Sequence, residues 1–314
     1  MRRLTAAILA PLAVTAALAG CSSSTAAPGP NASVTVTGAE GREPTVHIPA
    51  RQADSTLVTK TLVHGHGQRL TTSDSFLANF NVYLWRGKTS KLLYSSFTAL
   101  PQVLPVSIGL SGLQKALTGQ RVGSRVLAVL PPKYGYGTSG NAQIGVKPTD
   151  TLVWVVDLLQ AFPANASATG KQVSNGGGGL PTVHAVAGSA PQIHIPKASP
   201  PSKLVVKTLI KGTGAAVKAG QSIVVRYVGA IWQTGKVFND NWPSAAQPTA
   251  PPMLFKLGQL IPAWNTGLVG VPVGSRVMLV VPPAEGYGSK GYSQAGITGT
   301  DTLVFVLDIL AARN

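Results

Sequence analysis

Four kinds of residue pattern in this chain could do chemistry, and their surroundings set three of them aside. The first is paired carboxylates. Asp150 and Asp301 stand just before a final apolar segment in each half of the chain, and Asp157 and Asp308 stand inside it. Both pairs recur between the halves, which fits a structural role at loop and strand ends better than acid–base work. The second is His64-Gly-His66, a conceivable metal pair. The other half has Lys211-Gly-Thr213 there and no third ligand is in evidence, so a strand-end turn accounts for it. The third is Gly135-Tyr-Gly137-Thr-Ser-Gly140, which spells a dinucleotide-loop pattern. It follows Pro131-Pro132 and opens no helix, so it lacks the context that chemistry needs. No GxSxG is present, nor a Ser/His/Asp set with a recognisable local signature. The fourth pattern is an aromatic set: Tyr227, Phe238, Phe255, Trp264, Tyr287 and Phe305. Aromatics are only 6% of the chain, so six between positions 227 and 305 is a local concentration. Some could be plain core. Two tyrosines and a tryptophan, however, carry polar tips that a sealed core would have to satisfy. A concave apolar site with a few convergent polar groups is the usual form of a ligand pocket.

The elements that would position this set are written twice. Gly123 to Gly137 reads GSRVLAVLPPKYGYG and Gly274 to Gly288 reads GSRVMLVVPPAEGYG, 151 positions later. The same offset carries TDTLVWVVDLL (Thr149 to Leu159) onto TDTLVFVLDIL (Thr300 to Leu310). Within each copy the hydrophobic period is two. Leu303, Phe305, Leu307 and Ile309 share one face and Val304, Val306 and Asp308 the other; Leu152, Trp154, Val156 and Leu158 repeat the first set. Val277 to Val281 is a continuous apolar run stopped by Pro282-Pro283, as expected of a buried strand ending in a turn. One short helix is expected over Ala263 to Leu268, between Pro262 and Gly270. The expectation is an antiparallel sheet of five or six strands covering one short helix, twice over.

The chain opens with Arg2-Arg3 and an apolar run from Leu4 to Ala19, the layout of a secretory signal. It ends in Leu18-Ala19-Gly20-Cys21, which resembles a bacterial lipobox, with lipid on the Cys21 thiol and cleavage before it. Cys21 is the only cysteine, so neither domain can hold an internal disulfide or a CxxC site. The expected organisation is a signal over 1–20, a flexible Ser/Thr/Ala/Pro/Gly tether over 21–44 and a first domain over 45–162. A Gly-rich linker over 163–199 and a second domain over 200–314 complete it. Each domain, at roughly 110 residues, is long enough to build a core. The net charge is +16, from 26 basic and ten acidic residues. The basic residues are scattered without a run of four, and export makes nucleic acid an unsuited partner, so they read as a solvated face. Asn31-Ala-Ser33 and Asn165-Ala-Ser167 match a glycosylation pattern, which carries no weight beside a bacterial lipobox.

Ordered blocks of the second copy resemble the FKBP family of peptidyl-prolyl cis-trans isomerases. They are VVRYVGAIWQTGKVFNDNW (Val224 to Trp242), FKLGQLIPAWNTGLVGVPVGSR (Phe255 to Arg276), PPAEGYG (Pro282 to Gly288) and GITGTDTLVFVLDIL (Gly296 to Leu310). The resemblance implies an α+β fold: two tandem FKBP-like domains, each an antiparallel five- to six-stranded sheet wrapped on one short helix. It implies Trp264 as the floor of a proline pocket and Tyr227, Phe238, Phe255 and Phe305 as its walls. Leu260 and Ile261 would form the rim, with the Ile261 N–H free for a substrate carbonyl. The Tyr287 hydroxyl would meet a carbonyl from the flap side, and Ile297 would come from the loop before the last strand. The family usually has Asp after the phenylalanine of the Val-Phe pair; here it is Asn239, with Asp240 next. Asn keeps hydrogen-bonding capacity and loses the charge, which bears on affinity for the family's macrolide inhibitors. The activity implied needs no cofactor and no metal. Its partners would be proline-containing exported polypeptides, and a membrane through the lipid on Cys21.

The first copy departs from the pattern. Aligned by the repeat, Phe80 stands at the Tyr227 position, Leu93 at Phe238, Tyr94 at Asn239, Val106 at Phe255 and Leu113 at Trp264. Its loop after Gly109 reads as two residues shorter than that after Gly258. Tyr136 and Trp154 keep the places of Tyr287 and Phe305. The expectation is one working pocket, in the second domain, and a first domain of weak or no activity that acts as spacer or protein-binding module. The alternative function is a non-catalytic, chaperone-like lipoprotein.

Overall fold

A computed structural model describes residues 29–186 and 188–314. The apolar run and Cys21 lie outside the described residues. The first half holds strands β1 (Thr35–Thr37), β2 (Thr45–His47), β3 (Val58–Val63), β4 (Ser75–Arg86), β5 (Thr89–Ser95) and β6 (Gln102–Pro105). Helix α1 (Ser111–Leu117) and strands β7 (Arg125–Leu130) and β8 (Thr151–Phe162) complete it. The second half holds β9 (Lys171–Gln172), β10 (Gly176–Gly177), β11 (Leu180–His184), β12 (Gln192–His194), β13 (Val205–Lys211) and β14 (Ser222–Ile231). It continues with β15 (Val237–Asp240), β16 (Met253–Lys256), α2 (Pro262–Gly267), β17 (Arg276–Val281) and β18 (Leu303–Arg313). No helix among the described residues is long and apolar enough to cross a membrane.

Each half is built on one large antiparallel sheet, of six strands in the first and seven in the second, and the segments before them form small antiparallel sheets of their own, β1-β2 and β10-β11-β12. The orders in the large sheets are β3-β7-β8-β4-β5, with β6 also on β4, and β9-β13-β17-β18-β14-β15, with β16 also on β14. Alternation decides the faces. Leu152, Trp154, Val156 and Leu158 of β8 enter the core that α1 closes; Val153 and Val155 face the other way. Leu303, Phe305, Leu307 and Ile309 of β18 face α2, and Val304 and Val306 face away. The short helices are amphipathic lids: α1 buries Leu113, Ala116 and Leu117, and α2 buries Ala263 and Trp264. Pro262 takes the first turn of α2, where its missing N–H is not needed.

The described residues of the expected tether and linker, 29–44, 163–186 and 188–199, include short strands and side chains that pack on the large sheets. Each half exposes an apolar back face that water would otherwise wet, and the segment preceding it covers that face. In the first half Val34, Val36, Val46 and Ile48 pack on Trp85, Leu127, Val129, Val153 and Val155. In the second, Leu180, Val183, Ile193 and Ile195 pack on Val228, Trp232, Met278, Val280, Val304 and Val306. Fully burying one such aliphatic side chain is worth about 1.5–3 kcal/mol, enough to order a short segment. Two buried indoles fasten the straps: Trp85 Nε1 donates to Arg51 O at 2.9 Å and Trp232 Nε1 to Ala198 O at 3.0 Å.

The acidic pairs are structural. Asp157 binds Arg125 through both carboxylate oxygens, at 2.6 and 2.7 Å, and accepts from Gly41 N of the strap at 3.1 Å. Asp308 does the same with Arg276, at 2.5 and 2.7 Å, and accepts from Ala168 N at 2.8 Å. Asp150 and Asp301 close the loop before the last strand by accepting from Lys147 N and Thr298 N. The glycine between His64 and His66 has a steric reason: a Cβ on Gly65 would meet Val122 O at 2.2 Å, and one on Gly212 would meet Val273 O at the same distance.

One alignment from the repeat is corrected by register. Ser75 pairs with Pro105 as Ser222 pairs with Lys256, so Leu104 takes the place of Phe255. Val106 N donates to Asp74 O as Leu257 N donates to Gln221 O, so Val106 matches Leu257. The strand-to-helix loops are equal in length. The two-residue difference comes from lining up Gly109 with Gly258, but these left-handed glycines (φ 88° and 98°) sit at different places in the two loops.

Candidate active site

The concave face of the second domain holds a cavity of about 530 Å³. Of the ten residues expected at the site, nine line it: Tyr227 from β14, Phe238 and Asn239 from β15, Phe255 from β16, Leu260 and Ile261 from the loop before α2, Trp264 from α2, Tyr287 from the turn after β17, and Phe305 from β18. Ile297 does not. It is buried in the core and exchanges two backbone hydrogen bonds with Tyr292, at 2.8 and 3.1 Å, so it supports the loop from behind. Gln259, Pro262, Gly286, Tyr292 and Ala295 complete the lining. Tyr292 was legible as the one aromatic in the polar loop between the GYG turn and the last strand.

Trp264 is the hub. Tyr227, Phe255 and Phe305 meet it edge-on, with centroids 5.6, 5.4 and 5.4 Å away and interplanar angles of 80°, 82° and 88°. Edge contacts of this kind are favoured by the ring quadrupoles and hold the indole from three sides. Phe238 stands edge-on to Phe305 at 5.6 Å, and a glycine makes that possible. A Cβ on Gly229 would lie 2.5 Å from Phe238 Cζ. The first domain has Val82 at this register position, and Leu93 there replaces the phenylalanine. The two differences form one compensated exchange.

The polar groups are few. Tyr227 donates its hydroxyl to Asn239 Oδ1 at 3.0 Å, and burial, with smaller contributions from Tyr287 and Asp240, pushes its pKa up. Tyr287 stacks on Tyr292 at 5.3 Å and 16°, and burial, then Tyr292, raises its pKa as well. Among the described residues, neither the Tyr287 hydroxyl nor the Ile261 N–H has a hydrogen-bond partner. Asn265 fixes the segment that carries Ile261: its Oδ1 accepts from Gly258 N and its Nδ2 donates to Leu260 O, both at 2.7 Å. No lining residue is acidic. Among the described residues no cluster of three or more His, Cys, Asp or Glu could hold a metal ion. An apolar bowl lined by aromatic rings, with two donors that have no partner among the described residues, can take a small apolar ring and the carbonyl groups beside it.

The family model of FKBP-type peptidyl-prolyl cis-trans isomerases matches the chain twice, over residues 67–159 and 214–310. The chain belongs to this family. Among relatives of this FKBP-type protein, an "FK506-binding protein" of Streptomyces anulatus is 35% identical over 123 residues, spanning 38% of the chain and 95% of the relative. A "Probable FK506-binding protein" of Corynebacterium glutamicum is 36% identical over 122 residues, 39% of the chain and 98% of the relative. The "FKBP-type peptidyl-prolyl cis-trans isomerase FkpA" of Escherichia coli is 34% identical over 110 residues, 35% of the chain and 38% of the relative.

The first FKBP domain has a differently shaped cavity, of about 630 Å³. Leu113, at the Trp264 position, is fully buried and does not reach it, and no residue of α1 or the loop before it contributes. Trp154 and Phe80, with ring centroids 5.1 Å apart, form its base. Without a floor indole the space opens toward β5, where Lys91 and Leu92 join Leu93 and Tyr94 in the lining.

Proposed function

We propose that the second domain catalyses cis–trans isomerisation of X–Pro bonds in exported polypeptides, on a chain held at a membrane by lipid on Cys21. One observation supports the catalytic reading: Trp264, surrounded edge-on by Tyr227, Phe255 and Phe305, shares its cavity with two donors that have no partner among the described residues, the Ile261 N–H and the Tyr287 hydroxyl.

The X–Pro amide resists rotation because resonance holds it planar, with a barrier of about 18–20 kcal/mol. Water stabilises the planar form by hydrogen bonding to its polarised carbonyl oxygen. A proline ring seated on Trp264 carries the bond into an apolar, partly dried bowl and removes that solvation. The free donors hold the carbonyls flanking the ring while the bond twists, so the twisted form fits better than either planar isomer. Lowering the barrier by about 5–7 kcal/mol would give roughly 10⁴–10⁵-fold acceleration. A macrolide of the FK506 type would seat on the same floor, facing Asn239 where the family usually presents a carboxylate.

An isomerisation assay of the intact chain on short X–Pro peptides tests this reading. Acceleration with at least one residue type before proline is expected; none with any residue would remove it. That result would favour a non-catalytic holding role, to which the uncharged Asn239 and the altered first cavity lend some support. The pH profile follows from the lining. No acid or histidine faces the cavity, and both tyrosines ionise above the ordinary tyrosine pKa of about 10, so kcat/KM should be flat between about pH 5 and 9. A bell centred near neutrality would point to a titrating group that the site does not contain. Attachment has its own test. Cys21→Ala should move the protein from membranes to the soluble fraction, and unchanged membrane retention would overturn the lipid anchor.

A further inference from the structure

We propose that the cavity of the first domain is a second, non-catalytic binding site for an extended, non-native polypeptide segment of apolar and neutral or acidic character. It holds a client whose X–Pro bond is worked on in the second domain. This rests on the isomerase reading of the second cavity.

The first observation is what the cavity has lost and kept. It lacks the floor indole and every residue of the helix-side rim, so nothing in it is built to clamp a proline ring. It retains aromatic and aliphatic walls from Phe80, Leu93, Leu104 and Trp154. Trp154, only 7% exposed, presents its ring beside Phe80 at this wall.

The second observation is the mouth. Leu92, Tyr94 and Ile144 are 41%, 41% and 47% exposed at its edge. Their register partners in the second domain include Asn239 in place of Tyr94 and Ala295 in place of Ile144, so the first mouth is the more apolar. Leu92 and Tyr94 sit on β5, the last strand of its sheet, which pairs only with β4. This edge runs seven residues, against four in β15. An unpaired edge beside an apolar pocket offers an extended chain backbone hydrogen bonds and a place for alternate side chains. Lys91 lines the same wall and no lining residue is acidic, which favours neutral or acidic segments over basic ones.

The third observation joins the two cavities. β6 supplies Gln102 and Leu104 to the first, and β16 supplies Phe255 to the second. These two strands touch, and the residues between, Val103 and Leu254, enter a shared cluster built on Leu77, Phe162, Val224 and Ala311. Ser107 Oγ donates to Thr249 Oγ1 across the same joint at 3.3 Å. Two sites on one packed joint bind a single long chain with the second contact made intramolecular, which raises affinity without new contacts in either site.

The test uses the full chain and the double variant Tyr94→Ser/Ile144→Ser, both exposed positions, with thermal unfolding as a check that the fold is intact. A permanently unfolded, reduced and carboxymethylated protein serves as the binding probe. A tetrapeptide and a refolding protein limited by proline isomerisation serve as substrates. Expected are a Kd for the unfolded probe and a KM for the refolding protein each at least tenfold higher in the variant. kcat should be unchanged, and so should kcat/KM on the tetrapeptide. Shifts below twofold in both Kd and KM would overturn the proposal, as would saturation of the first cavity by a small apolar molecule without competition from the unfolded probe. If the parent chain shows no tetrapeptide activity, the isomerase reading fails separately, and the tenfold change in Kd still decides for or against this site.

Discussion

Trp264→Leu, which places the first domain's residue in the second, is expected to lower kcat/KM on X–Pro peptides by about 30- to 150-fold. The substrate ring would lose the flat surface on which it sits, and burying a residue-sized apolar group is worth about 2–3 kcal/mol, at 1.36 kcal/mol per tenfold in rate. The loss goes further than contact area. Tyr227, Phe255 and Phe305 all rest their edges on this indole, so its removal frees three walls to tilt inward. The first domain shows the end state: with Leu113 in this place the helix side of the cavity is closed and the space lies toward β5. Stability should fall less than for most core tryptophans, by about 1–3 kcal/mol, because leucine refills part of the volume. It also removes a buried Nε1–H that has no partner among the described residues. Activity and unfolding measured on one preparation separate the two effects. A variant that stays folded and keeps kcat/KM within threefold of the parent would show that the indole is core and not floor.

The two copies separate scaffold from cavity lining by sequence. Residues needed by both sheets, such as Arg125 and Arg276 or Asp157 and Asp308, are invariant across the offset. The pocket positions 227, 238, 239 and 264 are not. That contrast and the family resemblance single out ten residues, nine of which line the cavity. Ile297 failed because an apolar residue in a loop next to the last strand can face the bowl or the core, and only the backbone pairing with Tyr292 decides which. Val106 failed because the alignment was anchored on a glycine whose place in the loop differs between copies. The straps failed for a compositional reason. Their Ser, Thr, Ala, Pro and Gly content resembles a linker, while their apolar residues come in short alternations, Val34 and Val36, Val46 and Ile48, Ile193 and Ile195. Each is too brief to read as a strand. The signal was a third repeat, PTVHIP at Pro44 to Pro49 and PQIHIP at Pro191 to Pro196, outside the two blocks that had already announced the duplication. A segment that repeats along with a domain belongs to its fold.

Asp308→Asn is expected to destabilise the second domain by about 3–5 kcal/mol, the usual cost of leaving a buried cation without its partner. The carboxylate is fully buried, holds Arg276 through both oxygens and accepts from Ala168 N in the segment that enters the strap. A second guanidinium depends on it. Arg226 is also fully buried; it donates to Asn241 O and Ala164 O, its Nε has no partner among the described residues, and Trp242 lies near both arginines. Burial pulls the Arg226 pKa down to about 10, and the Asp308 charge works against that fall. Asparagine would keep the shape, remove the carboxylate charge that pairs with Arg276 and offsets Arg226, and turn an amide donor toward groups that are themselves donors. The first domain supplies the control. There Asn79 stands where Arg226 does, so among the described residues Asp157 has one guanidinium, that of Arg125, to balance. Asp157→Asn should therefore cost less than Asp308→Asn in urea unfolding of the full chain. Adding Arg226→Met to Asp308→Asn should recover part of the loss, since it removes one of the two stranded charges. A loss under 1 kcal/mol for Asp308→Asn, or no recovery in the double variant, would mean that the strap and the apolar back face hold this region without the ion pair.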